Sequence, residues 1–116
     1  SLGRLRVWSS VNTHLQIDVL GWFSNGLAGG LFHSMPAVRM VDTRRGGAVP
    51  AAGSLTDVAA STYGVPTSAD ALAGQLFSAA PTTTGHMRIG RNDAAASSVH
   101  REVSVTAVNR SFCGGI

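Results

Sequence analysis

Outside one ambiguous segment, this chain is periodic with a period of two. From Arg4 to Trp8, Leu5 and Val7 alternate with Arg4, Arg6 and Trp8. From His14 to Leu20, Leu15, Ile17 and Val19 alternate with His14, Gln16 and Asp18. Successive side chains of an extended chain point to opposite faces, so each run buries one face and leaves a mixed face outside. The same pattern predicts shorter strands at 31–33, 38–42, 55–60, 86–90, 99–101 and 103–108, bounded by Gly, Pro, Ser, Thr or Asn. Residues 69–77 fit two templates. Ala69, Leu72, Ala73, Leu76 and Phe77 recur at helical spacing behind Ser68, a possible cap, whereas Leu72, Gly74 and Leu76 fit a strand. A glycine inside a helix costs about 1 kcal/mol, and every other segment is extended, so 69–77 is read as a strand.

About eight short strands in one chain imply an all-β fold, an antiparallel β-sandwich or a jelly-roll-like barrel. A β-trefoil would carry a threefold internal repeat, and none is visible. The 116 residues make one domain, 1–116, with room for a core. Hydrophobic residues at 44% exclude a disordered chain, and 13% charge is too little for a helical bundle with a solvated face. The ends carry a further pattern. The strand from Val103 to Phe112 runs out in Gly114-Gly115, and the strand from Leu2 to Trp8 opens on Ser1 and Gly3. Joined end to start they spell strand, glycine turn, strand, so the domain reads as one period of a tandem or head-to-tail repeat. The segments 4–8 and 14–20 read as a hairpin, and residues 3–23 could complete a neighbour's sheet by strand addition.

In that hairpin Asp18 falls beside Arg4 or Arg6, and Trp8 and Trp22 share parity on the mixed face. Trp8, Trp22, Arg6 and Asp18 are therefore the candidate binding face, for a like subunit or, with Tyr63, for a stacked sugar. Asp42-Thr43-Arg44 ends a short strand, where Asp42 and Arg44 are expected to bracket a turn. No catalytic constellation appears. The acids Asp18, Asp42, Asp57, Asp70, Asp93 and Glu102 fall on separate segments, and there is no Gly-x-Ser-x-Gly elbow. The loop 26–30 is Gly-rich but lacks the lysine and hydroxyl of a phosphate loop. His14, His33, His86 and His100 are scattered without ligand spacing, so no metal and no cofactor is expected; a cryptic site at His86 and His100 is the remaining enzymatic option.

All nine basic residues are arginine, and the net charge is +3. The longest basic run is Arg44-Arg45, with no aromatic residues interleaved, so nucleic acid is not an expected partner. No apolar run reaches the roughly 18 residues of a membrane span. The single cysteine, Cys113, excludes an internal disulfide and reads as a small buried hydrophobe. Asn109-Arg-Ser111 fits a glycosylation sequon.

Four segments carry a family resemblance. His14-Leu-Gln-Ile-Asp-Val-Leu-Gly-Trp-Phe23 resembles a "hlivDvvGyf" signature, and Pro36-Ala-Val-Arg-Met-Val-Asp-Thr-Arg44 resembles "P-x-R-llDTR". Gly64-Val-Pro-Thr-Ser-Ala-Asp-Ala-Leu72 is similar to a "gvP-x-x-a-x-av" segment, and Gly3 to Ser10 to the strand "G-x-l-x-vyns". Their order and spacing resemble a DTR-motif, β-rich repeat family of secreted and surface proteins of actinobacterial type. From Gly74 onward the strand pattern of that family persists but its side chains do not. The resemblance implies a non-catalytic repeat module, secreted or at the cell surface. The expected function is structural: self-association with copies of itself or with neighbouring repeats through the terminal strands. The alternative is a carbohydrate- or cell-wall-binding module that holds polysaccharide on a Trp-bearing face.

Overall fold

In a computed structural model of the chain, residues 4–24, 31–46, 49–81, 83–91, 99–105 and 109–115 are described, and from Arg91 onward only as backbone. The fold is all-β. Its strands are β1 (Arg4–Ser9), β2 (His14–Ser24), β3 (Leu31–Asp42), β4 (Leu55–Ala59), β5 (Ala69–Ala79), β6 (Gly85–Arg91), β7 (Val99–Val105) and β8 (Asn109–Gly115). Short 3-10 turns follow β3 and β4, at Thr43–Arg45 and Ala60–Tyr63. Among the described residues all strand pairs are antiparallel, in two four-stranded sheets of order β4-β1-β6-β7 and β3-β2-β5-β8.

The alternating apolar residues explain the packing. Leu5, Val7, Met87 and Ile89 of the first sheet meet Ile17, Val19, Leu72 and Leu76 of the second in one buried cluster. Each such side chain contributes roughly 1.5–3 kcal/mol by leaving water, so neither sheet is stable without the other to cover it. The ambiguous segment 69–77 is the strand β5, because its pattern of alternate burial places Leu72, Gly74 and Leu76 inward.

The two halves of the chain are built alike. Exchange β1 for β5, β2 for β6, β3 for β7 and β4 for β8, and the first sheet becomes the second read backward. The register obeys the same exchange. Val7 lies opposite Ile89 and Trp8 opposite Arg88; at the matching places Leu76 lies opposite Ile17 and Phe77 opposite Gln16. One irregularity matches as well: β2–β3 slips between Ile17 and Asp18, and β6–β7 slips between Ile89 and Gly90. Once aligned in this way the sequence shows faint echoes, Val7-Trp8-Ser9 with Leu76-Phe77-Ser78 and His14-Leu-Gln-Ile17 with His86-Met-Arg-Ile89. The sandwich thus has an internal pseudo-two-fold axis between its sheets.

Several sequence expectations are corrected by this topology. The segments 4–8 and 14–20 do not form a hairpin, because β1 and β2 lie in different sheets. Their link crosses the sandwich and is pinned there. Ser9 Oγ donates to Val11 O at 2.8 Å, Ser10 N to His86 O at 2.9 Å, and Thr13 Oγ1 to Ala79 O at 3.2 Å. Strand addition by residues 3–23 is also overturned. β1 is flanked by β4 and β6, and β2 by β3 and β5, so neither has a free edge to offer. The terminal strands do not pair either: β1 is central in the first sheet, whereas β8 edges the second. The runs 31–33 and 38–42 are one strand through Pro36, which an edge strand tolerates because no outer neighbour needs its missing N–H. The run 103–108 divides: β7 ends at Val105 and β8 begins at Asn109. The Gly-rich loop 26–30 and the Cys113 side chain lie outside the described residues.

Candidate functional site

The outer face of the first sheet is built around Trp8. On β1 the inward residues Leu5 and Val7 force Arg4, Arg6 and Trp8 outward. Cross-strand neighbours then complete the face: Leu55 and Arg88 lie opposite Trp8, and Asp57 and Gly90 opposite Arg6. The Arg88 guanidinium sits over the indole at 5.2 Å, and the His86 ring lies 5.3 Å away, tilted by 52°. Arg6 grips Asp57 with two bonds, Nε to Oδ1 at 2.8 Å and Nη2 to Oδ2 at 3.0 Å. That fork holds the Asp57 carboxyl below the usual carboxylate range and raises the Arg6 guanidinium. Glu102 stands at the register position opposite Arg88 on β7.

Trp22 does not share this face. It lies on the other sheet, and a β-bulge has turned it over. Val19 pairs with Gly74 and Gly21 with Ala73, so Leu20 is an extra residue in β2 and parity flips beyond it. Trp22 lands opposite the fully buried Leu72, packs against the core and stacks on His33 at 4.0 Å and 15°. Asp18, expected beside Arg4 or Arg6, instead accepts from Arg39 Nε at 3.1 Å on the outer face of the second sheet. Tyr63 also packs against the core. The four residues first grouped as one face are therefore split: Trp8 and Arg6 on one outer face, Asp18 on the opposite one, and Trp22 half-buried against the core.

Asp42, Thr43 and Arg44 each hold a different part of the second sheet. Asp42 caps the 3-10 turn through Arg44 N at 3.2 Å and accepts from Arg44 Nε at 3.0 Å and Arg39 Nη1 at 3.3 Å. The Asp42 side chain is only 7% exposed, and its partners, Arg44 first, lower the pKa of its carboxyl. Thr43 Oγ1 accepts from Leu15 N at 2.8 Å and lies 3.0 Å from His14 Nδ1. Arg44 Nη2 donates to Gln16 Oε1 at 2.6 Å, and its guanidinium lies 5.9 Å from the centre of the Phe77 ring. The rings correspond across the two halves, Trp8 with Phe77, and each lies near an arginine, but the arginines do not correspond: Arg88 on β6 matches Gln16 on β2, whereas Arg44 follows β3.

A third feature lies on β3. Among the described residues this strand has β2 on one side and no strand on the other. Leu31 and Phe32 at its start are 67% and 51% exposed. Phe32 lies against Phe23 at 5.1 Å, crossing β2 at Gly21, where a Cβ would collide with the Phe32 ring and the His33 carbonyl oxygen. Sequence reasoning missed Leu31 and Phe32, although an apolar pair directly after a Gly-rich loop was a usable signal. It also missed Arg88, Asp57 and Arg39, which only strand register could bring to the site.

The three histidines with described side chains stay apart: His14 is by Thr43, His33 by Trp22 and Ser24, and His86 by Trp8. The His100 side chain, paired with His86 in the sequence reading, lies outside the described residues. Among the described residues no three His, Cys, Asp or Glu side chains group as a metal site, and no helix is long and apolar enough to cross a membrane. Comparison with known proteins returned no match: no family model, no curated protein and no solved structure matches the chain.

Proposed function

We propose that this chain is a non-catalytic structural module of secreted or cell-surface proteins, and that it self-associates with like copies. The observation that carries the reading is the open edge of β3, twelve residues long, which begins with the exposed Leu31 and Phe32. An unpaired strand edge offers a row of backbone donors and acceptors, and exposed apolar side chains beside it favour burial against another strand. Edge strands that stay solitary carry breakers. On β3 these are Pro36, Arg39 and the register slips along its pairing with β2, and all of them fall beyond the regularly paired residues 31–34. Residues 31–35 carry no proline and no Lys, Arg, Asp or Glu, so antiparallel β3–β3 pairing there would join two second sheets into one. Light scattering over a concentration series tests this. The mass is expected to rise above the 11.9 kDa of one chain, and Phe32→Glu to return it to one chain. A wild-type mass of one chain at every concentration would overturn the reading.

The Trp8 face supports a second reading, binding of cell-wall polysaccharide. An outward indole flanked by Arg88, His86 and the Arg6–Asp57 pair has the stacking surface and the hydrogen-bonding groups that sugar rings require. Co-sedimentation with insoluble cell-wall polysaccharide is expected to fail for Trp8→Ala and to survive Trp22→Phe, whose ring faces the core. Equal retention of wild type and Trp8→Ala would remove the sugar reading.

A further inference from the structure

The contact between the halves of this chain has the geometry of a homodimer interface. Within each half the strands pair as β1–β4 and β2–β3, or β5–β8 and β6–β7. The halves are joined by two other pairings, β1–β6 and β2–β5. The pseudo-two-fold exchanges these two, so the contact is isologous: the same patch on each half meets its own mate, as in a two-fold dimer. The core is divided likewise. Val7 and Ile17 come from one half and Ile89 and Leu76 from the other, so neither half buries its apolar face alone. One covalent link joins them, residues 64–68, in a turn closed by Ala69 N donating to Pro66 O at 3.0 Å, with Gly64 at φ +92°.

We propose that a second copy of this chain can supply the missing half, so that the chain forms half-exchanged dimers: β1 and β2 of one copy pair with β6 and β5 of the other. Every contact across the exchanged interface equals one already made within a single chain, so exchange has no intrinsic cost in strand pairing or core packing. The balance is set by the link. While 64–68 turns back, the closed single chain wins through the high effective concentration of its own second half. If the link is extended or shortened, or the protein refolds at high concentration, the partner's half takes the place. The proposal rests on the self-association reading but takes a different route from the β3 edge, one that requires the halves to come apart.

Two measurements on the full chain test it. Arg6 and Gly90 lie directly opposite each other across the β1–β6 pair. In a Cys113→Ser background, Arg6→Cys and Gly90→Cys chains are refolded together at high concentration, then oxidised. A two-chain band lost on reduction that forms in the mixture, and not when either variant is refolded and oxidised alone, marks the disulfide between positions 6 and 90 and is expected only after exchange. Association through β3 leaves positions 6 and 90 of each chain within its own fold and gives no such band, so the two routes fail separately. Absence of the band, with both variants folded by circular dichroism, overturns the proposal. The second measurement deletes Thr67 and Ser68, exposed residues of the linking turn. The expected result is a doubling of native mass with the strand signal kept. A folded single chain after the deletion also overturns the proposal, and if the variant does not fold, the crosslink decides.

Discussion

Ser9 and Ser78 occupy matching places in the two halves, and both are buried at the end of an inner row. Ser9 Oγ donates to Val11 O and accepts from Val11 N, at 2.8 and 3.2 Å, which fixes the start of the β1–β2 crossing. Ser78 Oγ is buried with no hydrogen-bond partner. The same substitution should therefore act with opposite sign at the two sites. Ser9→Ala is expected to cost about 1–2 kcal/mol, because it orphans buried backbone groups. Ser78→Ala is expected to stabilise by up to about 1 kcal/mol, because it removes an unsatisfied hydroxyl from an apolar place. Urea unfolding of both variants checks this, and losses of equal size would refute it. Burial at this scale was largely legible in the sequence, since Leu5, Val7, Leu15, Ile17 and Val19 alternate as written. Trp22 was not. A parity argument carries along a strand only while the strand is regular, and the extra residue Leu20 reverses every side chain after it.

The end of β3 joins three backbone segments through polar side chains, and one carboxylate is central to it. Asp42 and Asp57 both have pKa values held below the ordinary carboxylate range, chiefly by hydrogen bonds from Arg44 and Arg6. A group whose folded pKa is depressed contributes stability above its unfolded value, about 3.9, and loses that contribution as pH falls through the folded value. Stability should therefore be flat from pH 7 to about 5 and fall below about 4. Asp42→Asn removes one of these groups. Thermal melts are expected to show the variant less stable than wild type at pH 6, with the gap closing toward pH 2. A gap of constant size across that range would mean the carboxylate charge of Asp42 does not stabilise the fold. Legibility was uneven at the scale of elements. The strands β1, β4 and β6 follow from alternation and turn residues. β3 was read as two pieces because Pro36 breaks a central strand, and only the sheet order reveals that β3 is an edge. The sheet order itself was not legible, because period two says which face a residue takes and nothing about which strand lies beside it.

The whole molecule is two four-stranded halves sharing one core, and that arrangement makes a claim about cooperativity. The sequence hid the duplication because the halves echo each other only at Val7-Trp8-Ser9 with Leu76-Phe77-Ser78 and at His14-Leu-Gln-Ile17 with His86-Met-Arg-Ile89, while the links between strands differ. Register and bulge position preserve what side chains have lost. At the centre Leu76 lies opposite Ile17 across the junction of the halves, and both are essentially inaccessible to water. Leu76→Ala removes packing from both halves at once, at a cost of about 2–5 kcal/mol. Both tryptophans, Trp8 and Trp22, lie in the first half, so tryptophan fluorescence reports that half, while circular dichroism reports all strands. If the halves unfold together, Leu76→Ala lowers the denaturation midpoint equally by both probes, although the substitution lies in the second half. A fluorescence midpoint left at the wild-type value, with only the dichroism displaced, would make the halves separate folding units. Such independence would also undercut half exchange, because a half that is stable alone gains little from a partner's strands.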